Sequence, residues 1–180
     1  MEPARPAPRP APPATRPLVA AGLVLGFGLG GFVDGILLHQ ILQWHHMASS
    51  HPDPAIAQNL SVNTLLDGVF HAATWILVAI GLFMLHRAWR RGDVPPSGRV
   101  LTGSLLAGWG LFNLVEGLVN HHLLGIHHVH PSGPGGALVW DLAFLAFGAI
   151  LAIAGWGLVR SGRDVARGRA ASGPRHARGS

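Results

Sequence analysis

Apolar residues in this chain fall into four long runs, and the few polar residues inside them are chemically alike. The runs cover roughly 18–39, 65–85, 100–124 and 137–159. Each is close to the ~20 residues that carry a helix across the hydrocarbon core of a bilayer. Leu, Ala, Val and Gly dominate them, with scattered Phe and Trp, which suits helices packed closely through small residues. The pattern predicts an all-α, polytopic membrane protein with four transmembrane helices.

Composition agrees with that pattern. Hydrophobic residues make up 49% of the 180 and charged residues 12%, against about 25% charged in soluble domains. The chain has no cysteine, so disulfides, thiolate ligands and covalently attached c-type haem are excluded. All 13 basic residues are arginine, confined to the N-terminal segment, to 87–99 and to 160 onward. A pI near 11.6 would otherwise raise nucleic-acid binding. Confinement to alternate connections is instead what the positive-inside rule produces. We therefore expect a bacterial inner-membrane protein with both termini cytoplasmic, loops 47–63 and 129–136 outside, the lipid bilayer as its partner and no nucleic acid. Residues 1–17, rich in Pro and Arg, and 161–180, rich in Arg, Gly and Ser, read as disordered cytoplasmic tails around a domain at 18–160.

An internal repeat organises that domain. GFGLGGFVDGILLHQILQWHH, from Gly26, lies over GWGLFNLVEGLVNHHLLGIHH, from Gly108. Asp34 then falls on Glu116, His39 on His121, His45 on His127 and His46 on His128. The second and fourth runs match more weakly, in the register that pairs Asp67 with Asp141 and Gly81 with Gly155, whereas His71 meets Leu145. The expected architecture is two helical hairpins of the same membrane orientation, about 18–86 and 99–160, related by an axis near the membrane normal.

Four of the eight acidic residues lie inside the runs: Asp34, Asp67, Glu116 and Asp141. A carboxylate at membrane depth costs about 2.5–3.5 kcal/mol on insertion scales, so it faces protein or water. Histidines gather at the same level. Asp67 and His71 are spaced i, i+4; His39 and His46, like His121 and His128, are two turns apart; Asp34 and His45, like Glu116 and His127, are eleven apart. Gly125 is expected to end or bend the third helix. Neutral imidazole binds Zn, Cu and Fe, with carboxylates as ligands or as orienting partners. The candidate metal-site residues are Asp34, His39, His45, His46, Asp67, His71, Glu116, His121, His122, His127, His128 and Asp141, and the candidate cofactor is copper, zinc, iron or haem b. The same groups could instead lock the helices together by hydrogen bonds. His51, His86, His130 and His176 read as loop or flanking residues, Asn113 as an interhelical hydrogen bond, and most of the tryptophans as interfacial anchors.

The set VDGILLHQ, QWHH, LLDGVFHAATW and NLVEGLVNHHLLGIHHV resembles a bacterial family of predicted membrane proteins, domain of unknown function 2243, over residues 18–160. That resemblance implies a small multi-span protein and no particular reaction. HHLLGIHH also resembles the histidine boxes of membrane desaturases, but those face the cytoplasm and these are expected outside. Three functions stay open at this point: a transition-metal or haem site near the periplasmic face, serving metal handling or a redox complex; a small transporter or proton-conducting module; and an assembly partner of another membrane protein or of a second copy. No nucleophile–base pair marks an enzyme.

Overall fold

A computed structural model describes residues 14–171, with side chains through residue 168, and is entirely helical and loop among them. Helix α1 is Arg16–Asp34 and passes directly into a wide π-helical turn, Gly35–Ile41. A short α2 (Pro54–Ala57) precedes α3 (Leu60–Trp89); α4 (Gly98–Glu116) runs into a second π turn, Gly117–Leu123, and α5 is Ala137–Ala171. Asn59 caps α3 through Val62 N at 3.1 Å, and Ser97 caps α4 through Val100 N at 3.3 Å. Each side-chain oxygen satisfies one of the free N–H groups at a helix start. Most of both expected tails lies outside the described residues. Where the structure does reach them it differs, because α1 takes in Arg16 and Pro17 and α5 continues as helix to Ala171.

Three stretches are long and apolar enough to cross a membrane: Arg16–Ile41, Leu60–Trp89 and Ala137–Gly168. The sequence pattern predicts four, and the third run does not qualify. Its helix carries Arg99, Thr102, Ser104, Asn113 and Glu116, which dilute its hydropathy. Helix α4 packs mainly on α1 and α5, and α3 mainly on α1. Helix α1 is enclosed as well, by α3 and α4, yet stays apolar, so it is these polar residues that set the third run apart.

The order across the molecule is thus α3, α1, α4, α5. Two glycines set the spacing of the central pair. A Cβ on Gly26 would strike the carbonyl of Leu105, and a Cβ on Gly108 would strike the carbonyl of Leu23. Backbone therefore meets backbone, with α1 and α4 running the same way. Outside this pair, Gly81 lies against Leu25 and Gly155 against Ala107. An apolar core of Leu18, Val19, Leu25, Leu85, Val100 and Val159 fills the end bearing the arginine-rich connection. The opposite end is polar inside.

Each π turn ends in the same manner. Leu42 N donates to Leu37 O at 2.8 Å, and Leu124 N donates to Val119 O at 2.8 Å. The chain then reverses through Gln43 at φ 51° and Gly125 at φ 58°, both left-handed, so Gly125 does terminate its helix. Among the described residues Gln43 is the only non-glycine with positive φ.

Candidate metal centre

The π turns decide which side chains meet. On an α-helix, residues five apart point about 140° away from each other. The extra residue in the wide turn closes that angle, and such turns recur at functional sites. Asp34 Oδ2 thus lies 3.4 Å from His39 Nε2, and Glu116 Oε2 lies 3.0 Å from His121 Nε2. All four side chains are buried.

Of the other ring nitrogens, that of His121 has no hydrogen-bond partner and the rest are anchored. His39 Nδ1 donates to Asp67 Oδ1 at 2.8 Å, while His121 Nδ1 stands 3.5 Å from Asp141 Oδ1. His45 Nδ1 donates to the carbonyl of Val129 at 2.8 Å, and His127 Nδ1 to the carbonyl of Met47 at 3.0 Å. Each of these last two bonds joins one loop to the other. With a proton held at Nδ1, the neutral ring presents its lone pair at Nε2. Burial pushes the His45 imidazole down to about 2, helped by neighbouring His127 and His39, so this ring is neutral.

Asp67 and Asp141 are themselves held in matching fashion. Asp67 accepts from His46 Nδ1 at 2.7 Å and Met47 N at 2.9 Å, with Gln40 Nε2 at 3.3 Å. Asp141 accepts from His128 Nδ1 at 2.7 Å and Val129 N at 2.9 Å. These carboxylates orient histidines and do not face the centre of the cluster.

What remains is a set of buried atoms with no hydrogen-bond partner: Asp34 Oδ2, His39 Nε2, His45 Nε2, Glu116 Oε2 and His121 Nε2. They belong to one cluster. The His39 and His45 rings are 4.4 Å apart between centroids, His45 and His127 lie parallel at 4.7 Å, and His121 and His127 are 4.9 Å apart. His127 Nε2 reaches Glu116 Oε1 at 2.7 Å. Two triads have ligand atoms all within 4.8 Å of one another: His39, His45 and His127, and Glu116, His121 and His127. More than nine in ten buried polar groups in folded proteins are paired, so five orphans in one place need a cause.

Of the residues expected at the site, six converge on the centre: Asp34, His39, His45, Glu116, His121 and His127. Asp67, Asp141, His46 and His128 form the surrounding ring, the last two at 26% and 32% exposure. His71 and His122 are the departures. The i, i+4 spacing turns the His71 ring to the backbone carbonyl of Asp67 at 2.7 Å, not to its carboxylate, and His122 is exposed. His86 is exposed, and His51 accepts from Asp53 N at 3.0 Å in the loop. Asn113 is buried, but its Oδ1 has no partner in place of the expected interhelical bond. Trp44 is not a plain interfacial anchor, since it stacks on His130 with centroids 4.6 Å apart. The carbonyls of Met47 and Val129 were invisible to side-chain reasoning; their only signal is the break in helix just after each histidine pair.

No curated protein and no solved structure matches the chain. A family model does, described as a predicted membrane protein, DUF2243, over residues 21–162. With that match covering most of the described helices, the chain belongs to the DUF2243 family of predicted membrane proteins.

Proposed function

We propose that the protein binds transition-metal ions in the polar end of its helix assembly. One observation carries the reading: five buried ligand-type atoms without hydrogen bonds converge on one volume, with the opposite nitrogens of His39 and His45 held by Asp67 and the Val129 carbonyl. A carboxylate or carbonyl on Nδ1, with Nε2 free, is the usual environment of a metal-bound histidine. Charge points the same way. Four carboxylates are buried together, and isolated buried charge is costly unless neutralised. A divalent ion would offset part of that charge with every central histidine neutral. The two triads share His127, whose one free nitrogen serves one ion at a time, so they offer alternative positions for that ion.

The nitrogen and oxygen donors suit zinc, copper or iron. A bare ion fits better than haem b. Neighbouring imidazoles crowd each Nε2 face at 4.4–4.9 Å, which leaves no slot for a porphyrin plane.

The membrane setting supports the reading further. In this proposal α4 crosses as a fourth span, shielded by its neighbours, and the chain is a duplicated hairpin in the inner membrane. What supports the duplication is that structural features recur in the same register as the sequence match. The Gly26–Leu105 and Gly108–Leu23 contacts, both π turns, and the two carboxylate–histidine sets all do so. The arginine distribution then puts both termini in the cytoplasm and the centre near the periplasmic face. Such a site would serve metal handling or a redox partner.

The test is metal analysis of protein purified in detergent, followed by titration with Zn(II), Cu(II) and Fe(II). Bound metal that falls at least tenfold in the double variant His39→Ala with His121→Ala, with helix content kept, is the expected result. A wild type that arrives metal-free and takes up none of the three would leave the cluster as a hydrogen-bonded lock.

A further inference from the structure

Beside the cluster, between α1, α4 and α5, lies a cavity of about 360 Å³. Five of its thirteen lining residues are aromatic: Trp44, Trp109, Trp140, Phe144 and Phe147. Val33, Leu37 and Phe147, at its margin, are 38–48% exposed on faces that would meet lipid, so the opening is lateral. The inner wall is different. Asn113 and Asp34, both buried, line it there, and Asn113 Oδ1 and Asp34 Oδ2 lack hydrogen-bond donors. Phe144 also touches the ring of His121 at 5.3 Å, so this wall adjoins the candidate metal centre.

The corresponding space in the other half is closed. Where α1 has Gly30, the matching position of α4 is Phe112, whose ring packs edge-on against Phe27 at 5.4 Å and lies 6.1 Å from Phe70. Trp44 likewise corresponds to Ile126. The matched halves therefore differ at two residues that line the cavity, Gly30 and Trp44. Over that side, His130 stacks on Trp44 and lies 5.3 Å from Trp140, closing the end away from the arginine-rich connection.

We propose that this cavity binds a membrane-soluble aromatic molecule carrying hydroxyl donors, of the hydroquinone class, which enters from the lipid. The size is that of a small-molecule site, and a largely apolar lining with a few convergent polar groups is the usual composition of one. Flat indole and phenyl walls favour a ring, by offset or edge contacts, over a flexible chain. The two orphan acceptors ask for O–H donors, which an acyl chain lacks. This inference goes beyond the metal reading and holds without it, because every group it uses other than Asp34 lies outside the centre.

Isothermal titration of the full chain in detergent, under anaerobic conditions, tests it with tetramethylhydroquinone as probe and tetramethylbenzene as its hydroxyl-free counterpart. Saturable one-to-one binding of the hydroquinone is expected, with tetramethylbenzene at least tenfold weaker. Ala143→Trp, at the exposed margin, should block both compounds. Asn113→Leu should reduce the hydroquinone to the level of tetramethylbenzene. Metal content, measured on the same samples, should not change in Ala143→Trp. Equal binding of the two probes, or full binding in Ala143→Trp, overturns the proposal, as does absence of hydroquinone binding in folded wild type. Binding of the hydroquinone by a protein that takes up no metal would instead overturn the metal reading and leave this one standing.

Discussion

Glu116 and His121 stand five positions apart in the chain and face each other across 3.0 Å. Regular α-helix geometry would turn them to different sides. The π turn at Gly117–Leu123 reverses that, and the turn at Gly35–Ile41 does the same for Asp34 and His39. Helical distortion thus places the ligand-type atoms, and its consequences can be measured.

Because His127 belongs to both triads, His127→Ala should remove more metal than any other single change. One ion per chain is expected in the wild type and well under one in the variant, by elemental analysis after dialysis. His122→Ala, at an exposed position on the same turn, should retain it. Equal stoichiometry in wild type and His127→Ala would contradict the shared position.

Asp67 and Asp141 hold histidines without facing the centre. Asp67→Asn keeps the shape and removes the charge that orients His39 and His46. Loss of such an outer partner typically weakens metal binding by about 10–100-fold. A competition titration against a chelator would read the change, with Asp141→Asn giving a similar shift. Unchanged affinity in both would assign these carboxylates to folding alone.

Gly108 packs against the backbone of Leu23, where a methyl group cannot fit without separating the helices. Gly108→Ala should destabilise the protein by about 1–3 kcal/mol, the usual cost of overpacking. Gly157→Ala is the contrast, since a Cβ there meets open space, and it should stabilise α5 by about 0.5–1 kcal/mol. Thermal melts in one detergent separate the two signs.

Gln43 holds φ at 51°, a region that disfavours side chains by about 1–2 kcal/mol. Its counterpart, Gly125, meets the same demand with no side chain. Gln43→Gly should therefore raise the melting temperature, for a gain of about 1 kcal/mol. A lower melting temperature would mean that the Gln43 side chain makes a compensating contact.

Much of this was readable in advance, and the exceptions have physical causes. Hydropathy predicts four spans, of which three prove long and apolar enough to cross a membrane, and the match of Asp34 with Glu116 located both halves of the polar cluster. The third run is less apolar because it carries Arg99, Thr102, Ser104, Asn113 and Glu116. Spacing on a continuous helix puts Glu116 and His127 on one stripe; they do meet, at 2.7 Å, but through the π turn and the reversal at Gly125. The spacing of Asp67 and His71 puts them on one face, but a shared face does not fix which atom a ring reaches, and His71 takes the carbonyl of Asp67. Nothing in residue identity marks Met47 or Val129, whose contribution is a main-chain carbonyl. The lateral cavity escaped notice for a related reason: its walls come from α1, α4, α5 and both loops, and no single stretch of sequence carries them.

The crossed bonds from His45 to Val129 and from His127 to Met47 have a further consequence. Each hairpin borrows main-chain acceptors from its sibling, so neither could complete its own set in isolation. A chain of half this length could still assemble an equivalent centre, but only by meeting an identical copy in the bilayer.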